Sequence, residues 1–188
     1  KKLRKRIGWR LYIQKRLQNL LHTVKSTETL FMLLGGVIIG ALGGYASVGF
    51  VKLIDLVQRL VWKDQLSPQQ LMDVVSWHWI VLLPALGILI TALFIRYFAP
   101  DSAGPGVPQV MEANVINGGI IHPKDGVAKT VSSALTIGFG GSVGREGPMV
   151  FIGSALGSLF GQFTQVSSRK MKTFVGCGAA SGIAATFN

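Results

Sequence analysis

The chain has 188 residues, of which 49% are hydrophobic and only 14% are charged, whereas about a quarter of the residues of a soluble domain are charged. The net charge of +11 is concentrated in residues 1–25, which contain nine of the 19 Lys and Arg residues and no acidic residue. Membrane-type sequence follows this basic segment, which argues against a nucleic-acid-binding arm. The single cysteine, Cys177, excludes an internal disulfide, and without a histidine cluster it also excludes a structural zinc site.

The N-terminal segment, residues 1–27, is predicted to form a basic amphipathic helix and a domain of its own. Trp9 and Tyr12 stand among its charges, as is typical of a helix that lies on anionic lipid headgroups. A basic segment before an apolar one marks the cytoplasmic side of a membrane. We therefore expect a cytoplasmic N-terminus, with residues 28–188 forming a domain within the inner (plasma) membrane.

Two long apolar segments predict membrane-spanning helices. The first, residues 30–62, exceeds the ~20 residues that cross a bilayer, so we expect it to be tilted or bent. Its glycines Gly36, Gly40 and Gly44 form a GxxxG series that permits close helix contact. The polar loop KDQLSPQQLMD is predicted to lie outside the cell, and the second span follows at residues 76–98.

Beyond the second span, Gly- and Pro-rich breaks alternate with short apolar segments. The first break is GPGVP at residues 104–108, and the second is GSVGREGP at residues 141–148. Each is predicted to precede a helix, while SSRKMK at residues 167–172 is predicted to be a basic loop before a last helix. Irregular backbone at membrane depth is tolerated only where it is buried in protein or lines an aqueous cavity. Such broken helices are typical of ion sites in transporters.

Both breaks are predicted to present the N-terminus of a helix to an anion. Pro108 suits the first turn of a helix, and the glycines allow the backbone to approach an ion closely. The start of a helix offers unpaired N–H groups and a partial positive charge, which together favour an anion. Two such ends that converge would form a site with little full charge, which suits conduction because conduction needs weak, multiple sites.

The second break carries an Arg–Glu pair, Arg145 and Glu146, in apolar surroundings. An ionised Glu146 would compete for the anion site, and a protonated Glu146 would leave it, so one side chain links anion and proton binding. The alternative is that Glu146 pairs with a basic group and only holds the fold, although adjacent helical residues do not face each other. Asp55, Glu112 and Lys129 are further candidates for an ion vestibule.

These motifs resemble those of the CLC family of chloride channels and anion/proton exchangers, and the chain is similar to a prokaryotic-type member. The resemblance rests on GPGVP, on GREGP, on the GGIIHPK turn between them and on GAASGIAATFN, and it covers roughly residues 28–188. It implies an all-α, polytopic membrane protein with tilted and discontinuous helices, built from two inverted halves and usually a homodimer. We expect the chain to hold only part of the first half.

The resemblance also implies the site residues. Glu146 falls on the family's gating and proton-accepting glutamate. The anion-binding positions fall on Gly104, Pro105, Gly106, Val107 and Pro108 at the first break, and on Gly144, Arg145 and Gly147 at the second. Pro105 replaces the Ser of chloride-selective members, which removes a hydroxyl donor and a backbone N–H. A preference for nitrate over chloride is therefore a hypothesis.

The sequence predicts an anion transporter that exchanges chloride or nitrate for protons and needs no cofactor or metal. A passive chloride channel gated by Glu146 is the alternative within the family, because the inner proton-transfer glutamate of many exchangers falls beyond residue 188. A non-transporting membrane scaffold is a further alternative. An enzyme is not expected, since no Ser/His/Asp set is present and His22, His78 and His122 lie apart in sequence.

Overall fold

The computed structural model describes residues 2–62, 77–98, 104 and 106–187, with side chains described from residue 28 onward. Within these ranges the chain forms six α-helices and no β-strand. The helices are α1 (Lys2–Trp62), α2 (Trp77–Phe98), α3 (Val107–Val115), α4 (Pro123–Gly138), α5 (Glu146–Phe163) and α6 (Ser168–Phe187). The chain divides into two compact units, Lys1–Gly35 and Gly36–Asn188, and both Gly-rich breaks belong to the second.

The first two helices contain the two predicted spans. Glu28–Trp62 and Trp77–Phe98 are each long and apolar enough to cross a membrane, and only 22% and 11% of their respective apolar windows are buried inside the protein. α1 runs without interruption where two separate helices are predicted, because neither Gly nor Pro stands between residues 25 and 30. The predicted outer loop at residues 63–73 lies outside the described residues.

Of the GxxxG series in α1, Gly36 faces another helix, whereas Gly43, which is outside the series, makes the closest contact. A Cβ at Gly40 or Gly44 would meet nothing within 4 Å. Gly43 instead lies directly against the hydroxyl of Ser181 on α6, and Gly36 also faces α6. Gly36 and Gly43 are two helical turns apart and therefore share one side of α1, whereas Gly40 and Gly44 point elsewhere.

α5 is the central helix of the second unit, with eleven of its 18 residues buried. It packs closely against α6, because glycines on both helices let the two backbones touch. Gly153 meets the backbone of Gly178, and Gly157 meets the carbonyl group of Phe174. A Cβ at either position would overlap the neighbouring helix, so this seam excludes larger side chains.

Two buried apolar clusters connect α5 to α1 and to the shorter helices. Burial of each large aliphatic or aromatic side chain contributes about 1.5–3 kcal/mol to the stability of the fold. The clusters hold α5 in contact with the helices that start at and lead into the breaks. One consists of Val110, Ala113, Ile121, Phe151, Ala155 and Val175. The other consists of Phe50, Ile54, Ala134, Met149 and Ile152.

The prediction of a basic loop at residues 167–172 is wrong, since this segment forms the first turn of α6. The backbone N–H of Met171 donates to the carbonyl of Ser167 at 2.9 Å, and Met171 is buried. The charges favoured a loop, but Met171, Phe174 and Val175 follow the spacing of one buried helical face. This turn of α6 packs against the segment that links α3 to α4.

Candidate functional site

α3 begins within the first break, at Val107. Gly106 is its N-cap residue with φ 88°, no side-chain hydrogen bond caps the helix, and Pro108 stands in the first turn. The carbonyl of Gly106 accepts from the N–H of Val110 at 3.1 Å. A side chain with a Cβ rarely adopts such a φ. By helix geometry, the N–H groups of the first turn have no partner within α3.

α5 begins in the same way within the second break, at Glu146. Arg145 is its N-cap residue and Glu146 its first helical residue, again with no side-chain cap. Both side chains are exposed. The Glu146 carboxylate turns back over Gly144, with its Cδ 3.3 Å from the position that a Cβ on Gly144 would occupy. A carboxylate therefore lies at a helix N-terminus, where the helix dipole favours negative charge.

The two helix starts are in direct contact. A Cβ at Gly106 would lie 2.7 Å from the carbonyl oxygen of Gly147 and 3.0 Å from its carbonyl carbon. The backbone of the first break therefore rests on the backbone of the second. Since both helix ends carry a partial positive charge, their approach concentrates positive potential at one place.

The other predicted site residues adjoin these two helix starts in sequence, or lie outside the residues that the structure describes. Among the described residues, Gly147 is half-buried and Gly106 is buried. Pro105, which carries the nitrate hypothesis, lies outside the described residues. The remaining predicted positions are all exposed, namely Gly104, Val107, Pro108, Gly144 and Arg145.

Lys129 of α4 holds the first break; the sequence predicts it as a candidate for an ion vestibule and not as an anion-binding residue. It is only 7% exposed. Its Nζ donates to the carbonyl of Gly104 and, at 3.2 Å, to Oε1 of Gln109, and it stands 6.0 Å from the ring centre of Phe151. Burial of an ammonium is tolerated where hydrogen bonds satisfy it. The sequence does carry a signal, because Lys129 is the one charged residue between residues 126 and 138.

A cavity of about 1210 Å³ opens beside α3. Glu112 lines it, and it reaches Gln109 and Phe151, the two side chains next to Lys129. Asp55, the third vestibule candidate, is half-buried on α1. The cavity therefore lies beside two side chains that are neighbours of Lys129.

The arrangement offers an anion two helix ends, beside a buried ammonium that donates to Gly104 and Gln109 and an exposed carboxylate. Backbone N–H groups at a helix start bind anions without requiring a metal. Within the described ranges, no three His, Cys, Asp or Glu side chains come close enough to hold a metal ion. The chemistry available here is reversible binding of an anion and transfer of a proton.

The comparisons with known proteins identify the family. The sequence profile described as Voltage gated chloride channel matches residues 87–188, which is more than half of the chain. The chain belongs to this voltage-gated chloride channel family, as the resemblance predicts. With its two long, largely unburied apolar helices, it is an integral membrane protein.

Curated relatives are similar over most of this chain. A putative chloride channel protein, ClcB-like, from Ralstonia nicotianae is 30% identical over 158 residues, which cover 80% of this chain and 36% of that protein. An H(+)/Cl(-) exchange transporter, ClcA, from Klebsiella pneumoniae is 30% identical over 166 residues, covering 85% of this chain and 34% of that protein. The chain thus spans about a third of the length of these relatives.

A solved structure shows the same fold. The crystal structure of a slow cyanobacterial Cl-/H+ antiporter matches with a TM-score of 0.67 and 24% sequence identity, and the match covers 84% of this chain and 37% of that chain. This likeness confirms the predicted all-α fold with discontinuous helices, since α3 and α5 start at breaks.

Proposed function

We propose that this chain forms part of an anion transporter that exchanges chloride or nitrate for protons. The observation that carries the proposal is the contact between the starts of α3 and α5, Gly106 against Gly147, beside the exposed carboxylate of Glu146. An anion at this contact would receive backbone N–H groups from two helix ends. Glu146, whose carboxylate lies at the start of α5, competes with the anion for the same donors.

Glu146 is proposed to gate the site and to accept the proton. An ionised carboxylate is attracted to the helix ends, and a protonated one loses that attraction. Because the side chain is exposed, it is free to move between the position over Gly144 and the surrounding water. Proton uptake then empties the place that an anion takes, which is the coupling that exchange requires.

The remaining predicted positions supply the anion's surroundings in this proposal. Gly104 and Gly106 are proposed to give the central part of the site, with Lys129 adding a buried positive charge beside them. Arg145 is proposed to raise the positive potential at the second break without binding the anion tightly. Pro105 lacks both a hydroxyl and a backbone N–H, which disfavours chloride more than the weakly hydrated nitrate.

The relatives support transport as the activity and do not name an enzyme. One relative is named an H(+)/Cl(-) exchange transporter, which favours exchange with chloride as substrate. Another is named a putative chloride channel protein, which favours the passive channel as the second candidate. In a channel, Glu146 would only open and close the path, and no proton would be carried against its gradient.

The surroundings of the transporter are part of the proposal. We assign the chain to the inner (plasma) membrane with a cytoplasmic N-terminus, because residues 1–25 contain nine basic and no acidic residues. This segment, within residues 1–27, would bind anionic lipids. Residues 28–188 would belong to the membrane domain, and the complete protein would be a homodimer.

The test is a transport measurement on the complete protein in liposomes. A nitrate gradient and then a chloride gradient are imposed at a clamped membrane potential while the external pH is recorded. We expect either anion to drive protons uphill, with the larger proton flux for the preferred anion. Glu146→Gln should abolish proton movement and leave anion flux, because the amide cannot take up a proton at this position.

A matched control is Glu28→Gln, which makes the same change at an exposed carboxylate on α1 and should leave both fluxes at the parent level. Anion flux without proton movement in the parent protein would establish the channel instead. An absence of any anion flux would favour the non-transporting scaffold. Proton flux that survives in Glu146→Gln would remove Glu146 from the proton step.

A further inference from the structure

Hydrogen bonds hold the C-terminal end of α3 in place, as contacts hold its start. α3 has nine residues, which gives it a length of about 14 Å at 1.5 Å per residue. Its first residue lies in the first break, and its last leads into the turn at residues 116–121 that precedes α4. Because the helix is short, the position of its start depends on how its end is held.

The turn after α3 is bound to α3 itself. The N–H of Gly119 donates to the carbonyl of Ala113 at 2.8 Å, and the N–H of Asn117 donates to the same oxygen at 3.1 Å. Gly118 and Gly119 have φ values of 62° and 88°. A Cβ on Gly119 would also lie 2.9 Å from Cγ of Met171 on α6. A displacement of this turn is therefore transmitted to α3.

Ser158 of α5 binds the same turn from the other side. Its side chain is fully buried, and its Oγ donates to the carbonyl of Gly119 at 2.8 Å and accepts from the N–H of Ile121 at 2.8 Å. Gln162 lies one turn later and donates Nε2 to Ser158 Oγ at 3.0 Å and to the carbonyl of Ile121 at 3.1 Å. The hydroxyl uses its donor and both of its acceptor positions.

We propose that Ser158 is a positioning residue for the anion site, a role that rests on the proposed function. α5 carries Gly147 near its start and Ser158 eleven residues, or about three turns, later. α3 touches α5 at both places, through Gly106 on Gly147 and through its turn on Ser158. The hydrogen bonds at Ser158 thereby set the register of α3 along α5 and the spacing of the two helix starts.

The apolar contacts between the two helices do not fix this register alone. Val110 and Ala113 pack with Phe151 and Ala155, and such contacts are not directional. Hydrogen bonds require a defined distance and angle. Without the hydroxyl of Ser158, a buried N–H and a buried carbonyl of the turn would lack their partner, and the turn would shift to find others.

The test uses Ser158→Ala in the complete protein, with two readouts. In liposomes, the KM for nitrate and chloride should rise about tenfold, equivalent to about 1.4 kcal/mol of lost anion binding, while the maximal rate and the proton-to-anion ratio stay at the parent values. In hydrogen exchange by mass spectrometry, amides should exchange faster in the turn at residues 116–121 and also in α3. A residue that only stabilises the fold would lower the maximal rate and leave KM unchanged.

Ser154→Ala is the matched control. Ser154 is a fully buried serine one turn earlier on α5, and its Oγ has no hydrogen-bond partner among the described residues. Its removal should leave KM and the exchange of α3 unchanged. The proposal is overturned if both variants raise KM equally, or if Ser158→Ala speeds exchange in the turn while α3 keeps the parent rate.

If Ser158→Ala does not fold, Gln162→Leu tests the positioning role instead. This variant removes the two amide bonds that hold the Ser158 hydroxyl and the carbonyl of Ile121 in place, so the shift in KM should have the same direction as in Ser158→Ala and be smaller. A parent-like KM and parent-like exchange in α3 would overturn the positioning role. A parent protein that moves no anion would refute the proposed function, and the exchange of α3 would still decide whether Ser158 holds this helix.

Discussion

The first break, at residues 104–108, is held by buried groups, whereas the second, at residues 141–148, leaves its charged pair at the surface. Lys129 and the backbone of Gly147 fix the first break. At the second break, Arg145 and Glu146 are exposed. The start of α3 is therefore held by contacts, whereas the start of α5 carries an exposed side chain that is free to move.

This difference is consistent with the proposed exchange, which requires one fixed and one movable part. An anion site needs donors at fixed positions, because preorganised dipoles bind charge without the cost of rearranging. A gate needs a group that leaves and returns. In the proposed mechanism, the backbone and a buried lysine have the fixed role, and one exposed carboxylate has the changing role. Variants at each break can test this division.

The largest effect is expected from Gly106→Ala. Its φ of 88° would strain an alanine by about 1–3 kcal/mol, and the new Cβ would lie 2.7 Å from the carbonyl oxygen of Gly147. The two helix starts would be forced apart. We expect a lower melting temperature in detergent and a loss of anion binding of more than about tenfold by calorimetry.

Gly40→Ala is the control for that variant. A Cβ there meets nothing within 4 Å, and alanine is favoured over glycine within a helix by about 1 kcal/mol. The melting temperature should stay the same or rise, with parent-like anion binding. If Gly106→Ala behaves as this control does, the first break is not a fixed element.

The sequence predicts the breaks but not what fixes them. GPGVP and GREGP indicate where α3 and α5 begin, because Gly and Pro have strong local effects on the backbone. The partners of Ser158 are backbone atoms of a turn that lies 37 and 39 residues away. Serine occurs in many buried and exposed places, so nothing in its local sequence distinguishes this one. The charges of SSRKMK similarly obscured a helix start that buried Met171 defines.

An intermediate effect is expected from Lys129→Met, which keeps the length of the side chain and removes its charge. The carbonyl of Gly104 and the amide of Gln109 lose a charged donor, and hydrogen bonds to charged groups contribute about 1.5–3 kcal/mol. We expect lower thermal stability and weaker anion binding by calorimetry. Because Lys129 is buried, the loss should depend little on salt concentration.

Lys52→Met serves as its control, since Lys52 is an exposed lysine on α1. Loss of a surface charge away from such contacts changes stability by no more than about 0.5 kcal/mol. An equal loss of anion binding in both variants would mean that net charge, and not the buried position of Lys129, sustains the site.

The smallest change in stability, with an informative change in transport, is expected from Gly144→Ala. A Cβ there would occupy the place of the Glu146 carboxylate, but this group is the end of a flexible, exposed side chain that is free to move aside. Stability should change by about 0.5 kcal/mol or less. If the position over Gly144 is the closed one, the displaced carboxylate should raise anion flux at neutral pH.

Gly176→Ala is the control, because Gly176 is exposed on α6 and a Cβ there would meet nothing within 4 Å. This variant should leave anion flux unchanged. Parent-like flux in Gly144→Ala, beside increased flux in Glu146→Gln, would place the closed position of the carboxylate elsewhere.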